Sequence, residues 1–407
     1  MAQGLTDDLL KRLKALPEGL ALYVHLPFCK KKCGYCDFYS LPAQSSHLMA
    51  ATVKEICTEI ACYSQILKLS RCDTVYIGGG TPSWLPLNLV AKIFKAIKSF
   101  TSSDTEWTVE ANPESLNKEF LKLCQEFGVN RLSLGVQSFS SRLRRILERD
   151  CSEEYLQKAC ELLSILGQAN LNIDLIYAIP SQNINEVQDD LDKALNLRPQ
   201  HLSYYRLTLS KKTRLGQALK IKTEKDDSSC WEENLSRFIQ RSLRLKGYCH
   251  YEVSNFCLPG KECRHNLHYW QLDPYLGIGP AATSNLPLTD GQALRLEKPF
   301  GLKTYLAQGW SCATKTELVN SKSLLLEHLL MGLRLKKGID LKRLKSRFPD
   351  LGEKLEPLLN KWKSNKLIKK NPHQLSCTSS GLRILNVLLR EAAGFLAELK
   401  ELHTNWP

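Results

Sequence analysis

Short apolar runs rich in β-branched and aromatic residues alternate with amphipathic stretches through the first half of the chain. Such runs predict strands, and apolar residues repeated every three or four positions predict helices. The predicted strands lie at 21–27, 73–82, 106–113, 131–139, 171–180 and 201–209. Because helical stretches separate them, the pattern predicts right-handed βαβ units and a parallel sheet. Six such units fit an α/β fold, a partial (β/α)6 version of the TIM barrel.

The pattern changes after residue 210. A Lys/Asp-rich stretch at 220–229 predicts an exposed loop, and a helix is predicted at 231–246. Aromatic residues and histidines then become dense, and helical periodicity resumes near Ser323. The run KLIKKNPHQLSCT at 366–378 predicts a small hairpin, which favours a winged-helix-like end of the chain. We therefore expect three parts, at 1–240, 241–300 and 301–407.

Composition narrows the class of protein. The 407 residues are 43% hydrophobic and 24% charged, which is typical of a folded globular protein. The 15 cysteines are an odd number, and the first residues lack the apolar core of a secretion signal. No apolar run reaches the roughly 18 residues that span a bilayer. These features predict a reducing, cytoplasmic location and no transmembrane segment.

The net charge of +14 is concentrated near the end of the chain. Residues 301–407 contain 19 Lys and Arg against 9 Asp and Glu. The simplest interpretation is a solvated basic face on a helical domain. A surface for anionic partners such as nucleic acid, membrane or propionates is the alternative.

Candidate reactive groups follow the predicted strands. Cys29, Cys33 and Cys36 lie in the loop after the first strand, and Gly78–Gly80 end the second. Polar side chains lie near the ends of the next three strands, at Glu110, Asn112, Gln137 and Asp174. The carboxyl ends of barrel strands carry the chemistry in this fold class, so we expect these residues to share one site.

The three cysteines lie within eight residues of a basic, glycine-containing loop, FCKKKCGYCDFY. Basic neighbours favour the thiolate form that binds metal. A structural zinc site usually closes four positions, and no fourth cysteine follows within twenty residues. An iron–sulfur cube held by three cysteines would leave one iron open. The spacing favours a cluster over zinc and leaves zinc as the alternative.

The C-x-x-x-C-x-x-C loop with Tyr35 before its last cysteine resembles the radical S-adenosylmethionine (SAM) superfamily. The resemblance implies that Cys29, Cys33 and Cys36 hold a 4Fe-4S cluster whose fourth iron binds SAM. The GGGTP run resembles the glycine motif of that superfamily. Carried over by position, the coproporphyrinogen-oxidase-like branch implies these SAM contacts: Tyr23, Gly79, Gly80, Thr81, Glu110, Gln137, Arg149 and Asp174. The chain departs from the family run L-G-R-x-H, with Glu148 in place of glycine and Cys151 in place of histidine.

The resemblance covers nearly the whole chain, through EANPES, RLSLGVQSF, YEVSNF, HNLHYW and MGLRLKKGIDL. Coproporphyrinogen dehydrogenases carry another cysteine where this chain has Phe38. Phe38 and HNLHYW resemble the HemW-type heme chaperones instead. That resemblance implies heme as a ligand, heme-requiring acceptor proteins as partners, and His265 as the first candidate for iron ligation. A packed, hydrogen-bonded His265 is the alternative interpretation.

Three functions are weighed. The favoured one is a heme chaperone that binds a 4Fe-4S cluster, SAM and heme. The first alternative is an oxygen-independent coproporphyrinogen III dehydrogenase, and the second is a radical SAM enzyme that modifies nucleic acid. Nucleic acid is the least favoured partner, whereas peripheral membrane contact and a homodimer stay open.

Overall fold

One mixed sheet of twelve strands runs through the computed structural model. The structure describes residues 6–16, 19–42, 45–166, 170–219, 228–311, 313, 315–350, 354–398 and 404–406. Most of the loop predicted at 220–229 lies outside the described residues. Within them, no helix combines the length and apolarity that crossing a bilayer requires.

The strands are β1 (Leu20–Leu26), β2 (Phe28–Cys29), β3 (Leu41–Pro42), β4 (Cys72–Gly79), β5 (Glu106–Ala111), β6 (Arg131–Gln137), β7 (Leu171–Tyr177), β8 (His201–Arg206), β9 (Cys249–His250), β10 (Asn255–Cys257), β11 (Tyr275–Ile278), β12 (Thr283–Pro287), β13 (Ala293–Glu297), β14 (Lys315–Val319), β15 (Ile339–Asp340), β16 (Ile368–Lys370) and β17 (Gln374–Cys377).

The helices are α1 (Asp7–Arg12), α2 (Ser46–Ile66), α3 (Leu87–Lys98), α4 (Lys118–Phe127), α5 (Ser141–Ile146), α6 (Glu153–Leu166), α7 (Ile184–Asn196), α8 (Arg214–Ala218), α9 (Ser228–Leu245), α10 (Arg264–Trp270), α11 (Leu302–Gln308), α12 (Ser321–Gly332), α13 (Leu341–Arg347), α14 (Glu356–Ser364), α15 (Ser379–Arg383) and α16 (Leu385–Glu398). A short 3-10 turn occupies Pro82–Trp84.

The six predicted strands form the parallel centre of the sheet, in the order β1, β4, β5, β6, β7, β8. Their apolar side chains are buried in one large core. The sheet keeps two edges, so the barrel is partial, and the α/β prediction is confirmed. Local signals fix the helix ends: α4 begins where Asn117 Oδ1 accepts from the Phe120 amide, and ends at Gly128, whose φ is 85°.

Later parts of the chain extend both edges of this sheet. β11 pairs in parallel with β1 and continues through the antiparallel strands β12, β13 and β14. On the other side, β10 and β9 follow β8. Residues beyond 319 build a second apolar core around α12 to α16 and a three-stranded sheet, β15-β17-β16. The hairpin formed by β16 and β17 confirms the one expected at 366–378. The domain boundaries proposed at residues 240 and 300 stay predictions.

A buried ion pair ties the added strands to the barrel. Lys298 Nζ lies 2.7 Å from Glu59 Oε1, and both side chains are almost fully excluded from solvent. Glu59 Oε2 also accepts from the Gly279 amide at 2.9 Å and the Tyr305 hydroxyl at 2.7 Å. Lys298 further donates to the Trp310 carbonyl at 2.6 Å. The pair therefore links α2 to the β13–α11 connection and to α11 itself.

We predict that breaking this pair lowers the free energy of unfolding by about 3–5 kcal/mol, because the remaining charge is buried without its partner. Glu59→Gln and Lys298→Met should each do so in chemical denaturation. The double variant should lose less free energy of unfolding than either single variant, because it leaves no unpaired buried charge. Glu327→Gln, which breaks the more exposed pair with Arg295, is the control and should cost about 1 kcal/mol or less. Additive losses in the double variant would contradict this role for the pair.

Candidate metal and cofactor site

A cavity of about 330 Å³ opens at the carboxyl ends of the parallel strands. The cysteine loop lines one side, and the ends of β4 to β8 line the other. This end of the barrel is where side chains from several strands can reach one bound molecule. Ten of the twelve residues proposed from sequence line the cavity: Cys29, Cys33, Cys36, Gly79, Gly80, Thr81, Glu110, Gln137, Arg149 and Asp174.

Backbone hydrogen bonds hold the cysteine loop over this cavity. The amide of Gly34 donates to the Leu147 carbonyl at 3.1 Å, and the Gly34 carbonyl accepts from the Leu215 amide at 2.9 Å. Farther along, the amide of Cys36 donates to the Cys33 carbonyl at 3.3 Å. The loop is therefore fixed between α5 and α8, and its three thiols face the same cavity.

The electrostatics of the thiols fit a shared metal centre. Burial raises the pKa of Cys29, and negative charge on Cys36 and Cys33 raises it further. Burial also raises the pKa of Cys33, whereas the nearby guanidinium of Arg149 lowers it. Neighbouring thiolates destabilise one another, and bound metal removes that repulsion. Among the described residues, no group of three His, Cys, Asp or Glu side chains is arranged as a site for one metal ion.

The glycine run lets two backbone segments approach each other closely. Gly80 donates its amide to the Leu26 carbonyl at 2.7 Å. A Cβ at Gly80 would lie 2.4 Å from the Phe28 carbonyl oxygen, so a larger residue would separate the segments. Gly79 has φ of 100°, a conformation that glycine adopts readily. The start of the cysteine loop is thereby packed directly on the end of β4.

Glu110 lines the cavity, and two hydrogen-bond donors contact its carboxyl group. Its Oε1 accepts from the Tyr76 hydroxyl at 2.8 Å, and its Oε2 accepts from the Gly79 amide at 3.1 Å. Burial raises the pKa of Glu110 to about 7, and the nearby charge of Asp174 adds to the effect. Glu110 is thus half ionised near neutral pH, and a bound cation would favour its carboxylate form.

Asp174 lies two strands away and has more hydrogen-bond donors. It accepts from Ser133 Oγ at 3.0 Å and from Asn172 Nδ2 at 2.7 Å. Burial raises the pKa of Asp174, although the hydrogen bonds from Ser203, Asn172 and Ser133 act in the opposite direction. The cavity therefore offers two partly buried carboxyl groups, one from β5 and one from β7.

Gln137 holds a strained backbone at the end of β6. Its φ is 69°, which is uncommon for a residue with a side chain, and the pairing register with β7 shifts between Gly135 and Gln137. Such strain is concentrated at binding sites. On the opposite wall, Asn112 Nδ2 donates to Thr81 Oγ1 at 2.8 Å. Both residues present amide groups to the cavity.

Arg149 already has an anionic partner. Its Nη1 and Nη2 contact the Glu114 carboxylate at 2.6 and 2.9 Å, and Nη2 also donates to the Gly135 carbonyl at 3.1 Å. Both side chains of the pair are almost fully buried. This two-point contact orients the guanidinium beside Cys33.

The two departures from the family run L-G-R-x-H have structural explanations. Glu148 has φ of 50°, a conformation suited to the glycine that it replaces. Its carboxylate pairs with Arg214 at 2.7 Å, and Arg214 also donates to the Lys32 carbonyl at 2.6 Å. Cys151 is a buried thiol whose backbone carbonyl accepts from Arg144. Arg214 therefore connects α8 both to Glu148 and to the cysteine loop.

Two of the proposed residues, Tyr23 and His265, lie outside the walls of this cavity. Tyr23 lies on β1, its hydroxyl is 2.9 Å from His25 Nδ1, and its ring faces those of Tyr76 and His265. Tyr76, whose ring lies close to that of Tyr23, does line the cavity. Tyr23 as a SAM contact stays a prediction.

The helix α10, which carries HNLHYW, is inserted against the inside of the barrel. Glu106 on β5 accepts from the amides of Arg264 at 3.1 Å and His265 at 3.0 Å. His265 is almost completely buried, and its ring nitrogens lie 2.8 Å from Thr74 Oγ1 and 2.9 Å from Tyr269 Oη. Both nitrogens therefore have partners in this structure. His265 as an iron ligand stays a prediction that would require these contacts to open.

The end of α10 also contacts the second core. Asp273, just after α10, accepts hydrogen bonds from Arg343 and Arg347 on α13. His268 lies 3.9 Å from both Asp73 and Asp273. One short helix thus bridges the barrel interior and the C-terminal helices.

The sequence reasoning missed several residues of the site. Tyr76 lines the cavity and donates to Glu110, and Glu114 fixes Arg149. Tyr76 follows the inward alternation of β4, so its periodicity could have revealed it. Glu114 lies in the turn after β5, and only its carboxylate type pointed to a partner.

Two protein-family models match the chain. The model described as the radical SAM superfamily matches residues 23–194. The model described as the HemN C-terminal domain matches residues 319–384. The first match covers the cysteine loop and the first five barrel strands, and the second covers most of the C-terminal core.

Relatives of known name match over most of their length. A protein named heme chaperone HemW from Lactococcus lactis is 32% identical, with 89% of this chain and 94% of that protein covered. Proteins of the same name from Escherichia coli and Synechocystis are 34% and 33% identical. Those two alignments cover 69% and 78% of this chain, and 73% and 79% of the relatives.

A solved structure shares the fold. The coproporphyrinogen III oxidase HemN of Escherichia coli, a radical SAM enzyme, superposes with a TM-score of 0.77 over 97% of this chain and 94% of that one. Its sequence identity is 21%, so the likeness establishes the architecture alone. Because it is 32–34% identical to these HemW proteins over most of their length, the chain belongs to the HemW family of the radical SAM superfamily.

Proposed function

We propose that this protein is a heme chaperone that binds a 4Fe-4S cluster and SAM, and transfers heme to acceptor proteins. The observation that carries the proposal is the convergence of three thiols, a glycine run and two partly buried carboxyl groups on one cavity, in a chain 32% identical to a HemW chaperone over most of both proteins. A reducing, cytoplasmic location is part of the proposal. The described cysteines are all free thiols, which supports it.

The cluster would be held by Cys29, Cys33 and Cys36. Their mutual electrostatic repulsion, and the guanidinium of Arg149 beside Cys33, suit an anionic metal–sulfur centre. When bound, such a cluster supplies the electron that cleaves SAM to a 5′-deoxyadenosyl radical. The role of the protein is to hold the thiols and to exclude competing ligands.

SAM would lie between the cluster and the strand ends. The backbone of Gly79 and Gly80 and the side chain of Thr81, which line the cavity, would accommodate its methionine part. Glu110, Gln137 and Asp174 can accept hydrogen bonds from its ammonium and ribose hydroxyls. Arg149 would pair with its carboxylate in addition to Glu114.

The alternative enzyme is a coproporphyrinogen III dehydrogenase. Phe38 argues against it, because the dehydrogenases carry a cysteine at that position by the family resemblance. Phe38 is 68% exposed and lines the mouth of the cavity. A nucleic-acid modifier stays the remoter alternative, and peripheral membrane contact and a homodimer stay predictions.

Anaerobically reconstituted protein tests the proposal directly. With SAM, reductant and coproporphyrinogen III, we expect no protoporphyrinogen IX, and we expect the same preparation to bind heme stoichiometrically in an absorbance titration. Oxidative decarboxylation of the porphyrinogen would reverse the assignment in favour of the dehydrogenase. Binding of RNA that survives moderate salt would favour the nucleic-acid alternative, because simple phosphate contacts weaken steeply as salt rises.

The cluster ligands are tested by substitution. Cys33→Ser should remove the bound iron and the visible absorbance of the cluster, because serine replaces one of three thiolate ligands. Its circular dichroism should stay that of the unchanged protein, because the loop lies outside the packed core. Cys230→Ser, at an exposed thiol on α9, is the matched control and should keep its iron. Global unfolding of Cys33→Ser would instead indicate a structural metal.

The carboxyl group of Glu110 should make SAM affinity depend on pH. Its pKa is raised to about 7, so the proton leaves as pH rises through neutrality. Because a cationic ligand favours the carboxylate, affinity should rise by up to about tenfold between pH 6 and pH 8. Calorimetry on the anaerobic protein should show this rise, and Glu110→Gln should flatten it. A wild-type affinity independent of pH would remove Glu110 from the SAM site.

A further inference from the structure

A series of hydrogen-bonded polar side chains crosses the barrel interior and ends at the cavity lined by the cysteine loop, hereafter the cluster cavity. Its last member is Asp174, one of the two carboxyl groups of that cavity. Behind Asp174 it continues through Asn172 and His201 to Tyr251. These three side chains are buried. Because a buried polar group is stable only when it is hydrogen-bonded, each of them needs its partners in place.

The pairing of β7 with β8 sets the first two steps of this series. Asn172 and Asp174 lie two positions apart on β7, so their side chains point to the same face of the sheet. Asn172 is paired with His201 on β8. Asp174 is paired with Ser203 in the same register. The parallel register therefore places His201 beside Asn172, one pair farther from the cluster cavity than Asp174.

The side-chain amide of Asn172 is held in one orientation. Its Nδ2 donates to Asp174 Oδ1 and to Ser133 Oγ, both at 2.7 Å. An ionised carboxylate can only accept, so Nδ2 rather than Oδ1 faces Asp174. Asn172 Oδ1 then accepts from His201 Nδ1 at 2.6 Å and from Ser203 Oγ at 3.1 Å. Both hydrogens and both lone pairs of this amide are therefore used.

The tautomer of His201 follows from these contacts. Nδ1 carries a proton because its partner is a carbonyl oxygen, so Nε2 of the neutral ring accepts. Tyr251 Oη lies 2.9 Å from Nε2 and donates to it. Tyr251 Oη itself accepts from the Cys263 amide at 3.3 Å. Burial lowers the pKa of His201 well below its usual value, and the charge of Arg131 lowers that pKa further, so the ring stays neutral.

Every hydrogen bond in the series thus runs in the same direction. The donors lead from the Cys263 amide, at the start of α10, to the carboxylate of Asp174. Hydrogen bonds that share one direction polarise and strengthen one another. At the cavity, Asn172 Nδ2 holds one oxygen of Asp174, and Ser133 Oγ holds the other at 3.0 Å. The carboxylate is therefore oriented by the protein before a ligand enters.

We propose that His201 is a positioning residue for SAM, which acts through Asn172 to orient Asp174 toward the donor groups of the ligand. The inference rests on the proposed SAM site. His201 does not line the cluster cavity, so its effect on SAM passes through the amide that it holds. Through Tyr251, the series extends the supporting residues of the site to the YEVSNF run.

Two substitutions of His201 separate positioning from packing. Asparagine can place an amide nitrogen where Nδ1 lies, whereas glutamine reaches the place of Nε2 and is closer to histidine in volume. In calorimetry on the anaerobic protein, His201→Asn should therefore keep SAM affinity within about twofold of wild type, and His201→Gln should weaken it by about tenfold. A packing role would reverse this order, because asparagine leaves the larger void.

Bound iron separates this role from damage to the cysteine loop. Both His201 variants should keep the iron content of the wild type, because the hydrogen bonds of the ring go to Asn172 and Tyr251. His328→Gln, at a buried histidine of the second core, is the matched control and should leave SAM affinity unchanged. Circular dichroism of each variant establishes that it has folded.

A double-mutant cycle tests the route through Asp174. Asp174→Asn should weaken SAM binding, and His201→Gln should add no further loss in that background, because the group that it positions is already changed. Tyr251→Phe removes one hydroxyl only and should weaken SAM binding by about threefold or more, which tests the series even where a His201 variant does not fold. Additive losses in the cycle, or an unchanged affinity in Asp174→Asn, would overturn the proposed route.

The outcomes distinguish this inference from the proposed function. If the wild-type protein binds no SAM, the proposed function fails, and the role of His201 fails with it. If the wild-type protein binds SAM but His201→Gln and Tyr251→Phe bind it as tightly, the proposed function stands and the positioning role is wrong. A greater loss in His201→Asn than in His201→Gln would also overturn the positioning role, in favour of packing.

Discussion

The end of β4 packs closely on the chain just after β1, and this contact fixes the position of the cysteine loop over the cluster cavity. Gly80 and Thr81 donate their amides to the carbonyls of Leu26 and Phe28, both at 2.7 Å, with no room for a Cβ at Gly80. This contact fixes the point at which the chain leaves β1 and starts the cysteine loop. Because the same glycine run forms the wall beside Glu110, the thiols and the carboxyl group are held at opposite sides of one small cavity.

Local signals predicted the parts of the structure that depend on neighbours in the chain. The six parallel strands were predicted because each has a continuous apolar run flanked by helical periodicity, and the cysteine loop because its spacing is visible over eight residues. Placement at the carboxyl ends of the strands then brought most of the proposed residues together, as the topology requires. Tyr23 and His265 do not line the cavity, whereas Tyr76, whose ring lies close to both of theirs, does.

Contacts between distant parts of the chain left no such signal. The parallel pairing of β11 with β1 joins residues about 250 positions apart, and nothing in either run indicates its partner. The pairing of Arg149 with Glu114 and the burial of Lys298 against Glu59 also depend on tertiary packing. The HNLHYW run was visible in sequence, but its insertion into the barrel follows from contacts with Glu106 and Thr74, which lie more than 150 residues earlier.

The helix α10 and the residues just after it connect the barrel interior to the C-terminal helices. Its first turn is held by Glu106 inside the barrel, and the residue just beyond its end, Asp273, is held by two arginines of α13. Seven helical residues span only about 10 Å, so the contacts with the barrel and those with α13 lie close together along the chain. The C-terminal core therefore helps to hold the segment that places His265 beside Tyr76, a residue of the cluster cavity.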